Sequence, residues 1–180
     1  MEIQSFFALV VPFMILFYLA VLLFIRAPRN VVFASLLGGV IMGLLNLLVD
    51  LAAYYAHWWH YNLSGLILHL PLPFYATPVL IYGSLAYLLI WRFWHGRAHW
   101  FSRLLLIGIP IFGVIRDIGG AITGSSYVVF DNIVPAVLMT LVMWVLMFYA
   151  GYVVFKRLSP PREEVEEREA EQRQNDAVAR

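Results

Sequence analysis

Five apolar segments constrain this chain more than any other feature of its sequence. They run approximately over 6–25, 31–56, 73–90, 101–122 and 132–155, and a helix of about 20 apolar residues crosses the hydrocarbon core of a bilayer. A soluble domain has roughly half apolar and a quarter charged residues, whereas here 62% are hydrophobic and 13% are charged. The sequence therefore predicts an all-α fold, a polytopic membrane helix bundle with about five transmembrane helices.

The acidic residues divide the chain into two parts. Seven of the eleven Asp and Glu residues lie in 159–180, which begins with the helix-breaking sequence Ser159-Pro-Pro161. We therefore predict a transmembrane helical bundle over 1–158 and a charged tail over 159–180. The tail lacks an apolar stripe, so it is expected to be a solvated helix or disordered.

The basic residues predict the orientation. The loops on one side of the predicted bundle, with the adjoining helix ends, carry Arg26, Arg29, Arg92, Arg97, Arg103, Lys156 and Arg157. The loops on the other side, 57–70 and 123–131, carry no Lys or Arg. Because basic loops stay in the cytoplasm, the N-terminus is expected outside and the C-terminal tail inside, in a multi-pass protein of the plasma membrane.

Composition also excludes several kinds of chemistry. The chain has no cysteine, so disulfides and thiolate sites are excluded, and it has no basic surface with which to bind nucleic acid. His57, His60 and His69 together with Asp131 are zinc-ligand types. No HExxH motif supports a zinc site, and histidines at a membrane interface are common, so we predict neither a metal nor a cofactor.

The second segment carries small and polar residues at helical spacing. They are Ser35, Gly39, Gly43, Asn46, Asp50, Tyr54 and His57. Steps of three or four residues place them on one helix face. The small residues permit close approach of another helix. The polar ones must face the protein interior or a wet cavity, because lipid cannot solvate them.

The fourth segment carries a matching set. Arg116 lies at helical spacing with Gly113, Gly120 and Gly124, and Asp117 is adjacent. At about 1.5 Å per residue, Arg116 lies in the outer half of its span, as Asp50 does in the second. Neighbours at i and i+1 point about 100° apart on a helix, so Arg116 and Asp117 need not pair with each other.

These positions predict one polar pocket near the outer surface. Asp50, Asp117 and Asp131, which opens the fifth segment, are the catalytic candidates. Three carboxylates with one arginine leave an excess of acid, and a protonated carboxyl in the membrane is a candidate general acid or proton carrier. The alternative is structural, with Arg116 forming a buried ion pair that fixes helix register.

Aromatic and polar residues follow Asp50 in the chain. The candidate substrate-binding residues are Asn46, Tyr54, His57, Trp59, Tyr61, Asn62 and Arg116. Trp and Tyr at this position are typical of an aromatic belt that anchors helices at the interface. Aromatic faces also stabilise a cation, either a ligand ammonium or a carbocation-like intermediate.

Residues 50–75 resemble part of a known family. Asp50-Leu-Ala-Ala53, Trp59-His-Tyr-Asn62 and Pro71-Leu-Pro-Phe74 follow the order and spacing of three motifs of the small integral-membrane lycopene cyclases. These motifs are Asp-x-x-Ala, Trp-x-(Phe/Tyr)-Asn and Pro-Leu-Glu-Glu. The resemblance implies an isoprenoid-processing enzyme of carotenoid biosynthesis, in which carboxylic acids protonate a carbon–carbon double bond. Here Pro73 and Phe74 replace the paired glutamates, so only Asp50 carries over.

Three functions remain open at this point. The first is an enzyme that acts on an isoprenoid or another lipid within the bilayer, as a cyclase or isomerase. The second is a small, oligomeric transporter or channel unit. The third is a non-catalytic membrane subunit that binds a partner. The expected partners are therefore the lipid bilayer, a lipid or isoprenoid substrate, and a second copy or another membrane protein.

Overall fold

The computed structural model describes residues 3–95, 97–124 and 127–178. Its elements are α1 (Ile3–Ile25), α2 (Arg29–Tyr55), β1 (Trp59–Tyr61), α3 (Leu72–Phe93), α4 (His99–Thr123), β2 (Val128–Phe130), α5 (Ile133–Leu158) and α6 (Arg162–Val178). Five helices are long and apolar enough to cross a membrane. The prediction of a helical fold with five such helices is thereby confirmed.

Helix boundaries follow local chemistry. The residue Arg26 adopts the left-handed conformation after α1, with φ 51° and its N–H bonded to the Leu22 carbonyl at 3.0 Å, and Pro28 precedes α2. Gly124 ends α4 with φ 67°, a conformation that glycine adopts without steric cost. Pro160 and Pro161 follow α5, whose C-cap Ser159 is extended.

Two of the helices contain wider turns. α1 is π-helical over Phe6–Val10, and α3 is π-helical over Pro78–Leu85. Pro78 cannot donate a backbone hydrogen bond, and its ring would clash with the carbonyl four residues earlier in an α-helix. A π-helical turn relieves that clash and moves the first half of α3 away from ideal α-helical geometry.

Small residues let α2 pack tightly in the centre of the bundle, against α3 and α5. Gly39 lies against the backbone of Val79 and Gly83 in α3, and Gly38 lies against the carbonyl of Gly151 in α5. The predicted close approach at Gly39 is therefore present. The second contact, through Gly38, lies on the neighbouring face of α2, which the spacing argument does not cover.

A chain of hydroxyl groups joins three helices within the core. The Ser84 hydroxyl of α3 bonds to the Tyr18 hydroxyl of α1 at 2.7 Å and to the Ser35 hydroxyl of α2 at 2.8 Å. Ser35 in turn donates to the Val32 carbonyl at 2.7 Å. Each buried hydroxyl thus has a partner, which keeps the cost of burying polar groups low.

Two short strands close one end of the bundle. β1 and β2 pair antiparallel, with Trp59 opposite Phe130 and Tyr61 opposite Val128. We call this pair of strands the hairpin, although α3 and α4 separate them in the sequence. The all-α prediction is therefore too narrow, because it treats these segments as loops. Three residues per strand are too few to give an alternating pattern that the sequence alone reveals.

The helix ends separate into two groups. Phe6 of α1 packs on Phe74 of α3, with ring centroids 4.2 Å apart, at what we call the hairpin end. At the other end the Trp91 indole donates to the Pro160 carbonyl at 2.9 Å. The seven basic residues named for the orientation flank this second end, which we call the basic end.

The tail forms helix α6 over Arg162–Val178, one of the two predicted alternatives; residues 179 and 180 lie outside the described chain. Arg162 pairs with Glu166 at 2.5 Å, and Glu163 pairs with His95 of the loop after α3 at 3.0 Å. The first turn of α6 is therefore attached to the basic end, whereas its later turns are exposed.

The glycine contacts yield a stability prediction. In Gly39→Ala the new methyl group would overlap the Val79 carbonyl, a backbone atom that cannot turn aside. We expect the unfolding free energy in detergent to fall by about 1–3 kcal/mol, measured as a lower thermal midpoint. Gly119→Ala is the matched control, because its methyl group meets open space; equal midpoints for both variants would contradict the prediction.

Candidate functional site

Asp50 is the buried centre of the site. It lies on α2, one turn before the end of the helix, and only 3% of its surface is exposed. Its carboxylate receives hydrogen bonds from four side chains, which are those of Asn46, Trp59, Tyr61 and Tyr75. We call these five residues the Asp50 cluster. All four donors are neutral, so the structure provides no direct cationic partner for the carboxylate in this cluster.

The two carboxylate oxygens of Asp50 have different surroundings. Oδ1 accepts from the Trp59 indole at 3.1 Å, a group that only donates. Oδ2 accepts from the phenols of Tyr61 and Tyr75, each at 2.8 Å, and from the Asn46 amide at 3.2 Å. Since a phenol can also accept, a proton on Oδ2 has an acceptor in either phenol, whose own O–H then turns away from Asp50.

Arg116 and Asp117 form the second charged group. Their side chains pair directly, with Nη2 to Oδ1 at 2.6 Å and Nε to Oδ1 at 2.8 Å. The long arginine side chain reaches around the helix to its neighbour, although their Cα–Cβ bonds diverge. Side-chain length thus allows two neighbours on the helix to pair, and the ion pair of Arg116 is formed with Asp117.

Aromatic residues hold this ion pair in place. The Arg116 guanidinium lies 5.4 Å from the ring centroids of both Tyr82 and Trp144, and donates to the Tyr82 hydroxyl at 3.1 Å. The Trp144 indole donates to Asp117 Oδ2 at 2.7 Å. Gly113 makes room for Trp144, because any side chain there would occupy the space of the indole ring. We call Tyr82, Arg116, Asp117 and Trp144 the arginine cluster.

Both clusters line one cavity of about 390 Å³ at the hairpin end. Its remaining wall is mostly aromatic and apolar, formed by Phe6, Pro71, Phe74, Thr77, Pro78, Gly120, Tyr127, Val128, Phe130, Thr140 and Met143. The volume lies in the lower part of the range of small-molecule sites. A mainly apolar chamber with two carboxylates and one guanidinium is suited to an apolar ligand that is oriented by a few polar contacts.

Six of the residues predicted for the site meet in this cavity. They are Asn46, Asp50, Trp59, Tyr61, Arg116 and Asp117. The predicted convergence of Asp50 with Arg116 and Asp117 is therefore present. It follows from the helical register of α2 and α4, which the spacing of their polar residues describes correctly.

Four predicted residues lie elsewhere in the described chain. The Tyr54 ring stacks on His69 at 4.0 Å, and His57 follows the end of α2 with φ 54°. Asn62 is joined to the Tyr127 carbonyl through its backbone N–H at 2.8 Å. Asp131 pairs with His60 at 2.9 Å on the exposed side of the hairpin. We call the face of α2 that carries Ser35, Gly39, Gly43, Asn46, Asp50 and Tyr54 the stripe. The stripe lines the cavity at Asn46 and Asp50, whereas Tyr54 contacts the loop instead.

The histidines of this end have separate partners. His60 bonds to Asp131 and His69 stacks on Tyr54. Among the residues that the structure describes, no three His, Asp or Glu side chains group as metal ligands would.

Sequence reasoning missed four residues that matter to the cavity: Tyr75, Tyr82, Thr140 and Trp144. Each lies on a helix whose other faces are apolar, and a lone Tyr or Trp in such a helix is usually a packing residue. A signal exists for Tyr75, which directly follows the two positions where the resembled family has glutamates. No comparable signal marks Trp144, because its role depends on the absence of a side chain at Gly113.

Comparisons with known protein families, with curated proteins and with solved structures found no match for this chain. The fold and the cavity define a five-helix bundle of membrane-spanning length with a polar and aromatic chamber at one end. Any function has to be argued from these residues.

The hydrogen bonds of Asp50 yield a second prediction. Asp50→Leu leaves the buried Trp59 indole and the buried Tyr75 phenol without their acceptor, and each unpaired buried donor costs about 1–3 kcal/mol. We expect a large loss of thermal stability in detergent. Asp50→Asn keeps a carbonyl oxygen that accepts from Trp59, and its new amide N–H groups can donate to the phenol oxygens. The loss of thermal stability should therefore be much smaller in this variant. Equal losses in the two variants would show that the hydrogen bonds contribute little.

Tyr61 lies in the hairpin and its ionisation is perturbed. Burial and the adjacent negative charge of Asp50 raise the pKa of the Tyr61 phenol well above its ordinary value of 10.0. The unfolded chain therefore releases this proton at a lower pH than the folded chain. The stability that Tyr61 contributes is complete below pH 10 and is lost as pH rises above that value.

Alkaline unfolding checks this assignment. Tyr61→Phe should flatten the fall in the unfolding free energy between pH 10 and 11, because one perturbed phenol is removed. Tyr55→Phe is the control, since Tyr55 is exposed and its removal should leave the slope unchanged. Identical slopes in wild type and Tyr61→Phe would contradict the raised pKa.

Proposed function

We propose that the protein is an intramembrane enzyme that acts on an isoprenoid or another lipid by acid catalysis, with Asp50 as the proton-transfer group. One observation carries the proposal. A buried carboxylate with four neutral hydrogen-bond donors forms the wall of an aromatic cavity within a bundle of membrane-spanning helices. A merely structural carboxylate needs its donors, but it does not need an apolar chamber beside them.

The reaction begins with Asp50 protonated on Oδ2. This proton is transferred to one carbon of a substrate double bond, whose π electrons form the new C–H bond, and the neighbouring carbon becomes cationic. The Asp50 carboxylate left behind regains the hydrogen bonds from Tyr61 and Tyr75. Aromatic faces such as those of Phe74 and Phe130 stabilise the cation.

The reaction ends with the return of a proton. A second double bond of the substrate supplies its π electrons to the cationic carbon, which forms a C–C bond and moves the positive charge along the chain. Loss of a proton from an adjacent carbon to the Asp50 carboxylate, directly or through Asp117, then restores a double bond and returns Asp50 to its protonated form. The product is an isomer of the substrate, and no oxidant, reductant or cofactor is consumed.

The orientation supports a cavity in the outer leaflet of the plasma membrane. The seven basic residues flank the basic end, so the positive-inside rule assigns that end and the tail to the cytoplasm. The hairpin end and the cavity then face outward, and the N-terminus lies outside.

Packing favours an enzyme over a transporter. Towards the basic end α2 is in direct contact with α3 through Gly39 and with α5 through Gly38, and the hydroxyl groups of Tyr18, Ser35 and Ser84 are bonded to one another. These contacts join α1, α2, α3 and α5 directly on the basic side of the cavity. A transport path through one copy of the chain would have to break them.

Turnover of an acyclic polyene tests the proposal. Protein in liposomes is incubated with acyclic isoprenoids in D₂O, and products are separated by chromatography and weighed by mass spectrometry. We expect a cyclised or isomerised product that carries deuterium from solvent. Asp50→Asn should reduce the rate at least about 100-fold, the usual contribution of general acid catalysis.

Asp131→Asn is the matched control. Asp131 is also a carboxylate of the hairpin end but lies outside the cavity, so this variant should keep the wild-type rate. Turnover by Asp50→Asn at the wild-type rate would exclude Asp50 as the acid. Absence of any isomeric product with wild-type protein across the isoprenoids and lipids would overturn the enzyme assignment.

A further inference from the structure

We propose that the cavity opens sideways into the bilayer between the hairpin-side halves of α3 and α4, and that a neutral long-chain isoprenoid enters there. This portal is bounded by Tyr82 and Pro78 of α3 and by Phe112, Arg116 and Gly120 of α4. The contact between Arg116 and Tyr82 closes it. The proposal rests on the proposed function for the chemistry of the ligand, and on packing for the route.

Packing between α3 and α4 differs along their length. Towards the basic end the two helices pack closely through Ala86–Phe93, and the Ser102 hydroxyl donates to the Ile90 carbonyl at 3.1 Å. Towards the hairpin end the π-helical segment Pro78–Leu85 packs mainly on α1 and α2. There the two helices meet through the side chains of Tyr82, Phe112 and Arg116.

The exposure of Arg116 indicates where the cavity opens. This residue lines the cavity, yet 44% of its side chain is exposed, and it lies seven residues, about 10 Å, before the end of α4. A guanidinium that faces hydrocarbon directly is costly. Asp117 and the rings of Tyr82 and Trp144 neutralise and cover it, so this charged residue is held at an opening rather than sealed inside.

The other walls of the cavity carry packed side chains of the described residues. The hairpin covers the cavity from the outside through Trp59, Tyr61 and Phe130, and Phe6 packs on Phe74 beside it. The glycine contacts of α2 close the side towards the basic end. A cavity of about 390 Å³ encloses only the end of a long chain, so the rest of such a chain would extend through the portal into the lipid.

The charges favour a neutral ligand. Arg116 is paired with Asp117, and Asp50 is surrounded by neutral donors, so the lining offers no unpaired cation to attract a phosphate or a carboxylate. Phe74, Tyr127 and Phe130 instead present aromatic surface. An uncharged isoprenoid end group fits this lining, whereas an anionic headgroup would lie beside two carboxylates.

Cysteine labelling tests the route without any turnover. The native chain has no cysteine, so Thr140→Cys places one thiol in the cavity wall, with Met143→Cys as a second position if the first variant does not fold. Protein in liposomes is treated with an alkyl-chain maleimide that partitions into lipid, or with a charged, membrane-impermeant thiosulfonate. We expect the first reagent to label the cavity thiol and the second to leave it unlabelled.

Two exposed positions calibrate the reagents. Tyr55→Cys, at the hairpin end of α2, should react with both, and Ile111→Cys, on the outward face of α4, should react with the alkyl maleimide alone. Labelling of the cavity thiol by the charged reagent as fast as Tyr55→Cys would overturn the lateral route. It would show that the cavity opens to water.

Removal of the closing contact provides the second arm. Tyr82→Phe deletes the hydroxyl that accepts from Arg116, and loss of one charge-assisted hydrogen bond should raise the labelling rate of the cavity thiol about tenfold. An unchanged rate would exclude this contact as the closure. An excess of squalene, a neutral isoprenoid, should slow labelling. Protection of the cavity thiol by anionic phosphatidylglycerol but not by squalene would overturn the proposal that the ligand is neutral.

The outcome is separable from that of the proposed function. When Asp50→Asn is added to the Thr140→Cys protein, the cavity thiol should be labelled at the same rate as in Thr140→Cys alone, because Asp50 takes no part in the route. If the cavity is reached from water while Asp50→Asn still abolishes turnover, the portal fails and the enzyme stands. If labelling behaves as expected but no isomeric product forms, the portal stands and the catalytic assignment fails.

Discussion

The burial of one carboxylate on four neutral donors is the interaction on which the hairpin end depends. Asp50 belongs to α2, Trp59 and Tyr61 belong to β1, and Tyr75 opens α3. Three successive elements of the chain are thus joined at two oxygen atoms. Without this acceptor the buried Trp59 indole would be unpaired, and the two strands would lose a contact that joins them to α2, although an isolated pair of three-residue strands is not stable in itself.

The tightly packed half of α2 and its polar half support each other. Gly39 and Gly83 fix the axial position of α3 relative to α2, because backbone atoms in direct contact cannot slide. That axial position brings the Tyr75 phenol to 2.8 Å from the Asp50 carboxylate. Close packing at one end is therefore what positions a hydrogen bond at the other, and the hydroxyls of Ser35 and Ser84 contribute to the same register.

Sequence reasoning reached the parts of the molecule that follow from periodicity. The five helices follow from runs of apolar residues, and the shared cavity of Asp50, Arg116 and Asp117 follows from helical spacing within α2 and α4. It failed where the chain departs from a helix. His57 has a positive φ, and Tyr54 turns to His69, so the stripe does not continue into the cavity. The roles of Tyr75 and Trp144 depend on contacts between different helices, which the residue spacing within one helix does not predict.

The motif that this segment resembles carries two glutamates where this chain has Pro73 and Phe74, so the proposed reaction has to proceed without them. With two extra acids, one group would donate a proton and another would collect it. In this chain the position after them carries Tyr75, whose phenol contacts Asp50 and cannot replace a carboxyl as an acid, because a phenol has an ordinary pKa near 10. In the proposed reaction, proton donation and collection are assigned to Asp50 alone or to Asp50 together with Asp117. The two phenols make the first arrangement chemically consistent, because a phenol that donates to the carboxylate can accept from the protonated carboxyl.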